Sequence, residues 1–63
     1  MESQYPILKY FAFAHLPERL QAISKVFHDA AEAMVTSMPP GPEVSAGLRK
    51  LLEAKDCFVR AAL

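Results

Sequence analysis

The side chains able to do chemistry in this 63-residue chain are few, and they are scattered. His15 and His28 are the only imidazoles, and either could in principle act as a general base. They lie in different segments, with no Cys/His cluster beside them, so a metal centre is not expected. Ser3, Ser24, Ser37 and Ser45 have no nucleophile motif around them, and there is no glycine-rich phosphate loop. Catalysis is therefore not expected, and no cofactor is implied. What remains is recognition chemistry. Four of the six aromatic residues, Tyr5, Tyr10, Phe11 and Phe13, fall in one short stretch, which holds most of the stacking capacity. Such rings either cap a core or stack on a ligand. An aromatic platform is worth roughly 1–3 kcal/mol per nucleobase, and lysine or arginine neutralises a phosphate.

The elements that must position these groups are set by Met38-Pro39-Pro40-Gly41-Pro42-Glu43. Two adjacent prolines stop a helix, because they lack the N–H and push the preceding residue out of the helical region. Pro42 suits the first position of a new helix, and Glu43 places negative charge at the positive end of its dipole. The spacing predicts an all-α fold, an antiparallel two-helix hairpin preceded by a short aromatic arm. The arm covers 1–15, the first helix 16–38, the turn 39–42 and the second helix 43–62. The arm reads as extended or irregular, packed across the hairpin. Its alternation puts Ile7, Lys9, Phe11 and Phe13 on one side, although a short helical turn also fits.

In the first helix, Pro17 fits the first helical position. Leu16, Leu20, Ile23, Phe27, Ala30 and Met34 step by four and three residues, with Ala31, Val35 and Met38 widening the stripe. Glu18, Arg19, Gln21, Lys25, Asp29 and Glu32 occupy the opposite face, with Lys25 and Asp29 spaced to pair. In the second helix Val44, Leu48, Leu51, Leu52, Phe58, Val59 and Ala62 form the apolar face, with Cys57 as a small buried filler. Arg49 with Glu53 and Asp56 with Arg60 are spaced for pairs, and Arg49, Lys50, Lys55 and Arg60 read as a solvated basic face. Gly47 reads as a site of close helix packing.

A single hairpin this short is marginal alone. One cysteine excludes an internal disulfide, and 52% hydrophobic residues leave apolar surface to cover, so assembly into a homo-oligomer is expected. Seven basic residues balance seven acidic ones, which argues against duplex DNA or RNA as a partner. No apolar run approaches the roughly eighteen residues of a membrane span, and Glu2 stands where a signal peptide is basic. A cytoplasmic location is expected.

His15-Leu16-Pro17, the helix from Leu20 to Met34, the proline-rich turn ending in Glu43, and Leu48-Arg49-Lys50-Leu51-Leu52-Glu53-Ala54-Lys55-Asp56 with Val59-Arg60-Ala61-Ala62 carry a resemblance. Over roughly residues 10–63 the chain resembles the small phage-encoded helical-hairpin proteins that act as cyclic-oligonucleotide sponges against the bacterial CBASS defence. The same hairpin recurs in phage proteins that counter Thoeris signalling. The resemblance implies a homo-oligomer, typically a hexamer, that binds cyclic di- or trinucleotides between protomers without cleaving them, in the cytoplasm of an infected bacterial host. It implies that Phe13 stacks on a base and that Lys25 meets a phosphate. The candidate ligand-binding residues are Phe11, Phe13, His15, Lys25, His28 and Arg60. The chain departs from the family pattern at Ala14, where a tyrosine is common, and at Ile23-Ser24, where an Ile-Arg pair is common. The competing expectation is a structural or adaptor helical oligomer that binds a protein partner.

Overall fold

The computed structural model describes residues 5–63. Every regular element among them is helical: a 3-10 helix, Pro6–Phe11, then α1, Glu18–Ser37, and α2, Pro42–Ala62. The fold is thus a small all-helical one.

The arm is wound, where alternation favoured an extended segment. Pro6 takes the first position of the 3-10 helix, and the Leu8 N–H donates to the Tyr5 carbonyl at 3.0 Å. The relevant period is three. A 3-10 helix has three residues per turn, so positions three apart lie on one edge. Tyr5, Leu8 and Phe11 have that spacing. Tyr5 and Phe11 are buried and Leu8 packs against them. Ile7, beside that edge, packs against the cluster as well, so the wound arm delivers both Ile7 and its neighbour Leu8 to the core, where an extended arm would turn one of them away.

Helix α1 begins at Glu18, two residues later than the apolar stripe suggested. Pro17 stays extended at ψ 148°, and as the cap its carbonyl accepts the N–H groups of Leu20 and Gln21 at 2.9 and 3.1 Å. The helix ends at Ser37, since Met38 precedes a proline and is held extended. Gly41 is also extended, at φ 175° and ψ 170°, a conformation open to any residue, and Pro42 opens α2.

The core contains Tyr5, Phe11, Ala31 and Leu48, with Ile7, Leu8, Phe27, Val35, Val44, Leu51 and Leu52 packed around it. Leu48 is 2% exposed, and burying such a side chain contributes about 2 kcal/mol. On α1 the buried line runs through Leu20, Ser24 and Ala31, with Val35 half-buried beyond. It lies on the Ala31 and Val35 side of the expected stripe. The small Ala31 side chain allows α1 and α2 to approach there. The other edge of the stripe is less covered: Met34 is exposed, and Ile23, Phe27 and Ala30 are only half-buried.

Several side chains differ from their expected settings. Cys57 is exposed, because its position on α2 turns away from the core, and its sulfur accepts from the Arg60 guanidinium at 3.5 Å. A Cβ added at Gly47 would meet nothing within 4 Å, so no close helix packing within this chain requires that glycine. Lys55 is buried instead of solvated, because the arm folds over it. Lys25 pairs with Asp29 at 2.7 Å. Among the described residues neither Arg49 with Glu53 nor Asp56 with Arg60 forms an ion pair. No helix among the described residues is long and apolar enough to cross a membrane.

Candidate ligand-binding site

The first turn of chain after the 3-10 helix places the site. Residues 12–17 form a loop in which the Leu16 N–H donates to the Phe13 carbonyl at 3.1 Å. The Gln21 side chain, from the second turn of α1, fastens that loop. Its amide nitrogen donates to the carbonyls of Leu16 at 2.8 Å and Ala14 at 3.3 Å. It therefore grips the peptide on both sides of His15. The sequence places Gln21 on the polar face of α1, and its clamp role could not be seen there, because both acceptors are backbone groups.

Held in this way, Phe13 meets His28 edge-on, with ring centroids 5.0 Å apart and planes at 68°. The His28 Nδ1 lies 3.2 Å from Asp29, and its Nε2 lies 3.9 Å from Glu32. Lys25, one turn before, donates to the other oxygen of Asp29 at 2.7 Å. Phe13, Lys25 and His28 thus form one cluster, joined through Asp29. Hydrogen bonds from Lys25 and then from His28 hold the Asp29 carboxyl below its ordinary range. The Lys25–Asp29 pair is more than half exposed on both sides. Solvent screens a pair this exposed and leaves it weak, so an incoming anion can displace Asp29 at small cost.

The other candidates lie elsewhere. Phe11 is 1% exposed, a core ring with no face free in the single chain. Arg60 is in the last turn of α2 with Cys57 as its side-chain partner. His15 is exposed and lines a concavity of about 320 Å³ with Lys9, Tyr10, Leu52, Lys55 and Asp56. Sequence reasoning passed over Lys9 and Lys55 as site residues. The one available signal was the pairing of Lys9 with Tyr10, a cation beside a ring; the lysine nitrogen stands 5.2 Å from that ring's centroid.

Two apolar hollows complete the surface. Met34, Met38, Glu43, Val44, Gly47, Leu48 and Leu51 line one of about 360 Å³. Ile23, Val26, Phe27 and Phe58 line another of about 280 Å³, where Phe27 and Phe58 stack at 5.8 Å. No group of three or more metal-ligating side chains is gathered among the described residues. The chain matches no family model, no curated protein and no solved structure.

Proposed function

We propose that this chain is an antiparallel helical hairpin that assembles with copies of itself and sequesters cyclic oligonucleotide second messengers without cleaving them, a phage-type immune-evasion role. The observation that carries the reading is the cluster of Phe13, His28 and Lys25. An aromatic ring is fixed edge-on against an imidazole, with a displaceable lysine one turn away on the same helix. The ring face supplies stacking and the ammonium supplies phosphate neutralisation. One protomer offers too few such groups for a cyclic dinucleotide. A symmetric pair doubles them and suits a nearly two-fold ligand.

Self-assembly is supported by the apolar surface. Tyr10, Val26, Met34, Met38, Phe58 and Leu63 are large and exposed, so the described residues leave apolar side chains for a partner surface to cover. The Ile23, Phe27, Ala30 and Met34 edge of α1 is the natural seat of a second copy. The same surface also favours the adaptor reading, in which a partner protein docks there, and the experiment separates the two. The protein is incubated with a panel of cyclic di- and trinucleotides, freed of unbound ligand, and heated. Release of an intact cyclic nucleotide supports sequestration. Release of a linear product makes the protein an enzyme, and release of nothing leaves the adaptor.

A further inference from the structure

Lys55 is the best-buried charged side chain among the described residues, 9% exposed, and its ammonium donates to the Tyr10 carbonyl at 2.7 Å. An ammonium has three donors. No carboxylate among the described residues forms an ion pair with it. A buried charge is costly unless it is paired and hydrogen-bonded. The concavity beside it is lined by a second lysine, Lys9, by the His15 imidazole and by one carboxylate, the exposed Asp56. It is a hollow of about 320 Å³, open to solvent. The two ammonium groups and the imidazole come from three separate segments. Lys9 is on the 3-10 helix, His15 is on the loop clamped by Gln21, and Lys55 is on α2.

We propose that Lys55, Lys9 and His15 form an oxyanion site that takes a phosphate group, with the exposed ring of Tyr10 at its edge. Lys55 is the fixed element, held by its hydrogen bond to the arm and by its buried stem. Lys9 is the exposed one, with its ammonium near the Tyr10 ring. The Phe13 and Lys25 cluster differs in charge, since Asp29 and Glu32 there outnumber Lys25, whereas two lysines face a single aspartate here. The proposal does not depend on nucleotide sequestration. Phosphate binding here without any cyclic-nucleotide binding would leave it standing.

The test is a titration of the full chain with inorganic phosphate and with adenosine monophosphate. Proton–carbon NMR signals of His15 and Tyr10 are followed, with sodium chloride at matched ionic strength as the control. Saturable shifts with phosphate but not with chloride are expected. Lys9→Ala and Lys55→Met should each weaken binding about tenfold or more, as loss of a charge-assisted hydrogen bond does. Lys50→Ala, an exposed cation outside the concavity, should not. Equal affinity for the two ligands would assign free phosphate as the source, and tighter binding of the mononucleotide would assign a nucleotide with its base on Tyr10. Lys9 is exposed, so Lys9→Ala remains decisive even if Lys55→Met fails to fold. Shifts that match those of chloride, or phosphate binding unchanged in Lys9→Ala, would overturn the proposal.

Discussion

Single residues carry the least expected features. Ser24 is 0% exposed and its hydroxyl has no hydrogen-bond partner among the described residues. A buried unsatisfied hydroxyl costs about 1–3 kcal/mol, and alanine fits the same space with better helix propensity. Ser24→Ala should therefore raise stability by about 1 kcal/mol in chemical denaturation, and a loss would mean that the hydroxyl is bonded. At Asp29 the depressed carboxyl means that its contribution is present at neutral pH and is lost as pH falls through the lowered value. Asp29 also competes for Lys25. Asp29→Asn should strengthen cyclic-dinucleotide binding about twofold, which is the worth of the exposed pair; calorimetry showing weaker binding would make Asp29 a ligand contact. The Lys25–Asp29 spacing was readable from the sequence because both partners lie on one helix. The burial of Lys55 was not, because its acceptor is a backbone carbonyl 45 residues away. The burial of Phe11 in the single chain was hidden for a related reason: nothing local says which of neighbouring aromatics turns inward.

Elements were legible where proline acts, and less so where geometry alone decides. The stop after Ser37 and the start at Pro42 follow from the missing N–H groups of Pro39, Pro40 and Pro42 and from the extended setting that Pro39 forces on Met38. The 3-10 winding of Pro6–Phe11 was hidden because six residues fit a period of two or of three almost equally well. Tertiary burial of Tyr5 and Phe11 chose between them. The buried line of α1 is displaced for a similar reason, since Ala31 permits closer approach of the helices than the bulkier Met34 on the expected stripe. Gly47 offers a test at this scale. Inside a helix glycine costs about 1 kcal/mol relative to alanine, and here the added Cβ has open space. Gly47→Ala should raise the melting temperature. A fall would show that another helix sits in the groove lined by Met34 and Met38.

For the whole molecule, the core is small, and one core position should decide folding. Leu48 is 2% exposed at the centre of the cluster. A buried unpaired carboxylate costs about 3 kcal/mol or more against a domain stability of about 5–10. Leu48→Asp should abolish helical circular dichroism, and a variant that keeps the wild-type melt would place the core elsewhere. The all-helical architecture was legible from the apolar spacing and the proline-rich turn. The site was legible only in part: Phe13, Lys25 and His28 gather, while His15 belongs to a separate cationic hollow. The most direct test of the account is titration calorimetry with the cyclic dinucleotide that the wild-type protein retains best, on the wild type and on Phe13→Ala and Lys25→Ala, after equal helicity is shown. Loss of a stacked base or of a charged phosphate contact should each weaken binding about ten- to a hundredfold, and the lysine effect alone should shrink at high salt. Unchanged affinity in both variants, or no cyclic dinucleotide bound at all, would contradict it.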